Sequence, residues 1–266
     1  PYAPFMTSTL QQEASRRFRW NAQRTMRVAQ GLYERGYITY MRTDSTTLSE
    51  QAINAARTQA AQLYGADHVA DAPRRYDRKV KNAQEAHEAI RPSGDAFRTP
   101  GEVSAEVNAD ELSLYDLIWK RTVASQMTDA RIATTTARIE ASASDNRRVQ
   151  FSASGTVTLF AGFKAAYDNT REDSEDEREK VLPAMSEGQV VNLLALDPDG
   201  HSTNPPARFT EASLTARLEE LGIGRPSTYA AIMSTILDRG YVWKKGSAMV
   251  PSFLAFSVIR LLEEHF

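Results

Sequence analysis

Two residues in this chain could do chemistry together. Tyr40 and Arg42 lie within Gly36-Tyr37-Ile38-Thr39-Tyr40-Met41-Arg42-Thr43-Asp44-Ser45-Thr46. A phenol has a pKa of about 10, so at neutral pH it is a poor nucleophile. A cation beside it favours the phenolate. In extended backbone residues i and i+2 point to the same side, which lets Arg42 stand next to Tyr40. The planar guanidinium also suits a phosphate, whose transition state gathers charge on its non-bridging oxygens. Such a pair could take a phosphodiester onto tyrosine. The ester stores the bond, so resealing a broken strand would need no ATP. The plainer reading of a Tyr-x-Arg triplet is a half-buried strand carrying an aromatic residue, and spacing alone does not displace it.

Three other strings carry chemical residue types. His87 stands in Gln84-Glu85-Ala86-His87-Glu88-Ala89-Ile90-Arg91-Pro92. The second histidine of a zinc helix is missing, with Arg91 at i+4. His87 could hydrogen-bond a carboxylate or a phosphate, or simply face solvent. Asp197-Pro198-Asp199 follows an apolar run, as magnesium-binding acids often do. Pro198 and Gly200 make it read as a turn. Gly222-Ile223-Gly224-Arg225-Pro226-Ser227-Thr228-Tyr229 places glycines, an arginine and hydroxyls at a helix start. That is a phosphate seat or an ordinary cap, and it lacks the Gly-Lys-Ser/Thr ending of a Walker loop.

The elements that position these strings follow from caps and periodicity. Thr9 and Gln12 form a capping-box pattern opening a helix over 9–18. A second helix over 22–35 carries Met26, Ala29, Leu32 and Tyr33 on one stripe, with Gly36 at its C′ position. A short strand over 37–41 and a polar turn come next. Ser49 caps a helix that Gly65 closes. Residues 66–81 read as mostly loop, 83–90 as a short helix stopped by Pro92, and 112–127 as an amphipathic helix. Then the pattern becomes β: 132–139, 149–154, 156–160 and 189–196, with a charged loop over 168–180. After Pro205-Pro206 helices return at 211–221 and 227–239. A hairpin flanks Lys244-Lys245-Gly246-Ser247, and a last helix begins near Phe253.

A weak internal repeat has an offset of 204. Phe5, Thr9 and Leu10 match Phe209, Ser213 and Leu214, and Arg35-Gly36-Tyr37-Ile38 matches Arg239-Gly240-Tyr241-Val242. Both blocks read helix, turn, helix, glycine stop, strand, which is the order of a winged-helix unit. Two helical hairpins sharing a common C-cap would look the same. The second copy has Lys244 where the first has Tyr40, so the scaffold does not require a tyrosine there.

Composition excludes some classes. The chain has 266 residues, 41% hydrophobic and 25% charged, as in ordinary globular proteins. It has no cysteine, hence no disulfide, thiolate zinc site or cysteine nucleophile. No apolar run has the length of a membrane span. The net charge of −2 gives no global case for nucleic acid. Locally, Arg16, Arg17, Arg19, Arg24, Arg27, Arg35 and Arg42 face a single acid, Glu34. Arg74, Arg75, Arg78, Lys79 and Lys81 form a second basic group. Such patches can meet phosphates, although arginine is also a good exposed helix residue. The start at Pro1 and the end inside a helical pattern read as those of an excised piece.

Taken together, the strings resemble the bacterial type IA DNA topoisomerases, most closely actinobacterial members. The resemblance rests on Pro4-Phe5-Met6-Thr7-Ser8-Thr9-Leu10-Gln11-Gln12, on 36–46, on 83–92, and on Pro205-Pro206-Ala207-Arg208-Phe209 with 222–229. These lie in the family's order over nearly the whole chain. The resemblance implies that Tyr40 is the nucleophile taking the 5′ phosphate of a single DNA strand, with Arg42 the catalytic arginine beside it. Asp44 and His87 fall in the same neighbourhood, and Arg225, Ser227 and Thr228 on a helix start that contacts the strand.

It further implies a multidomain α+β fold, in which two winged-helix-like domains flank a β-rich arch segment. Residues 1–126 would carry the tyrosine, 127–205 would belong to the arch, and 206–266 would begin a gate and DNA-binding domain. The family's Toprim domain, with its magnesium ligands and catalytic glutamate and lysine, is not in this chain. Asp197 and Asp199 do not replace it. Mg2+ is therefore expected in the parent protein only, with no metal site or cofactor here. The expected partners are DNA, mainly single-stranded, and the Toprim domain of the same protein. No membrane is expected, and the parent would be a cytoplasmic monomer at the nucleoid. It would relax negatively supercoiled DNA, while this chain alone would be inactive. The rival readings are a non-catalytic winged-helix module binding single-stranded DNA and a structural, partner-binding role.

Overall fold

The computed structural model describes residues 1–76, 88–143, 145–167 and 182–266. Two compact units result: Pro1–Thr128 with Ala207–Phe266, and Asp129–Pro206.

The first unit opens with α1 (Thr7–Phe18) and α2 (Ala22–Glu34). Helix α1 starts earlier than its sequence predicts. Met6 is the N-cap, and the Thr9 hydroxyl reaches back to the Met6 amide at 3.1 Å. Thr9 thus serves the cap from inside the helix. Asn21 caps α2 by accepting from the Arg24 amide at 2.7 Å. Gly36, at φ 76°, ends α2 in a complete Schellman motif: its amide meets Tyr33 O and the Tyr37 amide meets Leu32 O, both at 2.9 Å. Ser49 and Gly65 bound α3 (Glu50–Tyr64) as the sequence predicts, followed by a short 3-10 turn, Ala66–His68. A one-turn α4 (Pro100–Val103) leads to α5 (Ala109–Ser125), capped by an Asn108–Glu111 capping box. Phe5, Leu10, Leu32, Ile38, Ile53, Ile90, Leu114, Ile118 and Met127 are fully buried and knit these helices. Each such side chain stabilises the fold by about 1.5–3 kcal/mol.

The same unit then repeats its opening. Helices α6 (Glu211–Glu220) and α7 (Tyr229–Asp238) are followed by β1 (Val242–Lys245), β2 (Ala248–Pro251) and α8 (Phe253–His265). The strands form an antiparallel hairpin turning at Gly246-Ser247, with Lys245 opposite Ala248. Helix α7 begins two residues later than predicted, because Pro226 to Thr228 form a separate turn.

The offset of 204 is now visible in backbone bonds. The Ile90 amide donates to Phe5 O and the Met249 amide to Phe209 O, both at 2.7 Å. The Ser93 amide donates to Tyr37 O at 3.0 Å and the Ser252 amide to Tyr241 O at 2.9 Å. Ile38 bridges Pro92 as Val242 pairs with Pro251. Both copies are therefore two helices and a two-armed ribbon. In the second the arms join through two residues. In the first the connection runs from Tyr40 to Ala89 and contains α3. Helix α1 packs on α6 and α2 on α7. Glu211, at the start of α6, is buried; it accepts from the Ala22 amide at 2.9 Å and pairs with Lys244. One carboxylate thus joins the second hairpin to the N-terminus of α2.

The predicted strand over 37–41 is reduced to the single Ile38–Pro92 bridge. The ladder stops because the Thr39 hydroxyl takes Ala89 O at 2.8 Å, and the backbone beyond turns to Thr7 instead. The predicted helix over 83–90 lies mostly outside the described residues. Its described end is not helical, since Ile90 bridges Phe5.

The second unit is built on one long antiparallel hairpin, β3 (Arg131–Ser142) with β4 (Arg148–Phe160), followed by a 3-10 turn, Gly162–Ala166. The two strands predicted over 149–160 are one, running through Gly155 opposite Thr135. Both faces of the ribbon are largely exposed. The strand predicted over 189–196 is absent: this segment has no regular structure, with Val190 88% and Leu194 96% exposed. Among the described residues no strand pairs with it, and alternation alone does not satisfy a backbone. The charged stretch over 168–180 lies outside the described residues.

Candidate functional site

Tyr40 stands where the first ribbon leaves its partner. Its side chain is 36% exposed and meets Tyr33 of α2 edge to face, with ring centroids 5.3 Å apart. The segment beneath it is fixed by bonds of sequence-distant origin. The Thr39 amide donates to Arg91 O at 2.9 Å. The fully buried Thr7 hydroxyl donates to Met41 O at 2.8 Å and accepts from the Thr43 amide at 2.9 Å, while the Thr7 amide donates to Thr43 O at 2.9 Å. Arg42 is thus held from both sides by the first residue of α1. Its own side chain is exposed. Asp44 is half-buried in the following turn, where the Thr43 hydroxyl accepts from the Ser45 amide at 3.0 Å.

Arg42 opens on a groove of about 500 Å³ between α2 and α7. Helix α2 contributes Gln23, Met26, Arg27 and Gln30, a single face by their spacing. Helix α7 contributes Ala230, Ala231, Ser234 and Thr235, with Ser227 just ahead of it. Ser227, Ala230, Ala231 and Ser234 are the repeat equivalents of Gln23, Met26, Arg27 and Gln30. The groove therefore lies between the equivalent faces of the two copies, with long side chains on one wall and short ones on the other. Arg27 and Arg42 are its charges, and neither forms an ion pair among the described residues. No acid lines it. Two unpaired guanidiniums beside small hydroxyl residues make a seat for a polyanion.

The structure brings together Arg42 and Ser227 of the predicted residues. Tyr40 and Asp44 lie on the same loop outside the groove lining. His87 lies outside the described residues. Its neighbour Glu88 accepts from the Ser49 amide at 2.7 Å and from Arg91 at 2.6 Å, which holds its carboxyl below the usual range against its partial burial. Arg225 and Thr228 are exposed, and their backbone donors are used inside the turn. The Arg225 amide donates to the Thr228 hydroxyl at 2.8 Å, and the Thr228 amide to Arg225 O at 2.9 Å. Those two amides are thus used within the turn, while Thr228, the N-cap of α7, makes no side-chain cap bond. Gly224, at φ 82°, makes this turn possible. A Cβ there would stand 2.9 Å from Ile232 Cδ1 and 3.2 Å from the Thr228 hydroxyl.

Asp197 and Asp199 do not fit a magnesium ion. The Asp199 carboxylate is 81% exposed and lies 3.6 Å from His201 in an irregular segment. Among the described residues no three potential metal ligands cluster. Thr7, Gln23 and Ser234 were not singled out from sequence, and Arg27 entered only as one of a basic group. The repeat offset, extended from its glycine stops to the helix faces, would have found the last three.

The comparisons agree with this architecture. The chain is 62% identical to DNA topoisomerase 1 of Mycobacterium leprae over 270 residues, covering all of this chain and 28% of that protein. It is 61% identical to DNA topoisomerase 1 of Streptomyces coelicolor, again covering 28% of it. The crystal structure of full-length topoisomerase I from Thermotoga maritima superposes with a TM-score of 0.82 at 35% identity, covering 99% of this chain and 42% of that one. The chain thus spans under a third of the curated relatives it matches. Among the described residues no helix is long and apolar enough to cross a membrane. The DNA topoisomerase family model matches residues 1–266, and the chain belongs to the DNA topoisomerase family.

Proposed function

We propose that this chain carries the nucleophile-bearing half of a type IA topoisomerase site. The observation that carries the reading is the loop from Tyr40 to Arg42: a half-exposed phenol, then a guanidinium at the mouth of a groove lined by Arg27 and Ser227. In this reading the Tyr40 oxygen attacks a phosphodiester of a single DNA strand. A bond to phosphorus forms, the bond to the 3′ oxygen breaks, and the 5′ phosphate stays on tyrosine. The phenol proton and the leaving oxygen are handled by groups outside this chain. Arg42 balances charge on the non-bridging oxygens. After passage of the other strand, the 3′ oxygen attacks the ester and restores tyrosine. The bond energy is kept in the ester, so no ATP is used.

The parent protein relaxes negatively supercoiled DNA on this account. It works as a cytoplasmic monomer at the nucleoid, with Mg2+ held by its Toprim domain. Residues 1–126, 127–205 and 206–266 act as tyrosine-bearing domain, arch segment and gate domain. Asp44 and His87 belong to the neighbourhood of the tyrosine. Arg225, Ser227 and Thr228 contact the strand through side chains, Arg225 above all.

A groove of about 500 Å³ is the size of a small-ligand cleft. In this reading its occupant is a single strand. Arg27→Ala in the parent protein is expected to weaken binding of a labelled single-stranded oligonucleotide several-fold. The slope of log K against log salt should flatten by about 0.7. An unchanged slope would remove Arg27 from the interface.

The isolated chain is expected to form no SDS-stable adduct with labelled single-stranded DNA, because the partner half of the site is elsewhere in the parent protein. An adduct from the purified chain would contradict the two-half site. The second reading, a binding module without chemistry, is favoured by the groove alone. It differs at Tyr40, which such a module would not need as a nucleophile.

A further inference from the structure

We propose that Thr7 is a positioning residue for the cleavage step, acting through the backbone on either side of Arg42. The inference rests on the assignment of Tyr40 and Arg42 above. Thr7 is the first residue of α1 and has no exposed surface. Its hydroxyl donates to Met41 O at 2.8 Å, lies 3.1 Å from Thr43 O, and accepts from the Thr43 amide at 2.9 Å. Its own amide donates to Thr43 O at 2.9 Å. One side chain thus replaces the ladder bonds that the ribbon gives up after Thr39. It ties the arginine loop to the N-terminus of a twelve-residue helix.

The repeat explains why the residue is a threonine. The equivalent position in the second copy is Glu211, whose carboxylate pairs with Lys244, the equivalent of Tyr40. In both copies the first residue of the first helix reaches the ribbon. A carboxylate at position 7 would repel a phosphate arriving at Tyr40. A neutral hydroxyl can fix the loop without that cost. A loop without this tether would let the guanidinium drift, and a misplacement of about 1 Å can lower a rate by about 10²-fold.

The test uses the full-length parent protein. Thr7→Val keeps the shape and removes the hydroxyl. Its single-turnover rate of adduct formation with a labelled oligonucleotide is expected to fall about 10- to 100-fold, with oligonucleotide affinity within about threefold. Thr7→Ser is expected to restore the rate to within about threefold. Thr7→Ser and Thr7→Cys have similar volume but unequal hydrogen bonding. The cysteine variant should cleave at least about fivefold more slowly than the serine variant, which keeps the test decisive if the valine variant does not fold. The inference is overturned if Thr7→Val cleaves at the wild-type rate. Equal rates for Ser and Cys overturn it too, as does a parallel loss of affinity and rate in both. A Tyr40→Phe control separates the two levels. An adduct persisting without Tyr40 overturns the site itself; its disappearance beside an unaffected Thr7→Val overturns only the role of Thr7.

Discussion

Tyr40→Phe in the full-length protein is expected to lower SDS-stable adduct formation by more than about 10⁴-fold while leaving single-strand affinity within about twofold. The substitution removes one oxygen, and that oxygen is the only atom of the side chain the chemistry needs. The ring remains and can keep its edge-to-face contact with Tyr33. The fold should not suffer, because the second copy has a lysine at the same place and still pairs the residues equivalent to Ile38 and Pro92. Unfolding midpoints of variant and wild type should therefore coincide. A variant that still forms the adduct would move the nucleophile elsewhere. A variant that loses DNA binding in parallel would support a binding module in which Tyr40 only contacts DNA.

Arg42→Ala carries the second-largest effect. Removing one preorganised donor from a charge-gathering site costs about 10²–10³-fold in rate. Cleavage by the variant should fall by that amount, with a smaller loss of affinity because Arg27 still lines the groove. Arg42→Lys keeps the charge and loses the planar fork, so it should recover binding more fully than cleavage. Arg42 makes no ion pair among the described residues, so little stability should be lost with either variant. Equal losses of rate and affinity in both variants would make Arg42 a strand-binding residue only.

These effects were partly legible in the amino-acid sequence. Gly36, Ser49 and Gly65 announced the ends of α2 and α3 because a positive φ and a side-chain cap are local demands. The hairpin at Gly246-Ser247 was legible for the same reason. What failed was non-local. The strand over 37–41 was cut short by a hydroxyl, Thr39, competing for a carbonyl fifty residues away in sequence. Residues 189–196 alternate as a strand does, yet their side chains are exposed and no strand among the described residues pairs with them. Thr9 looked like a cap and was the inner partner of one, so Thr7 beside it went unnoticed.

The site divides the same way. Tyr40 and Arg42 were visible as residue types at a useful spacing, and only the family resemblance gave them a substrate. The groove was not visible. It arises because α2 and α7 pack as repeat equivalents, which brings Arg42 and Ser227 to one cleft from distant places in the chain. The offset of 204 contained that information in faint form, at its glycine stops more than at its helix faces.

The central claim concerns one atom, the phenol oxygen of Tyr40. It is tested most directly by trapping the adduct of the full-length protein with a single-stranded oligonucleotide, digesting it, and sequencing the nucleotide-bearing peptide by mass spectrometry. The account predicts a 5′ phosphate on Tyr40, within the peptide that contains Ile38 and Met41. A nucleotide on any other residue, or a linkage through a 3′ phosphate, would contradict it.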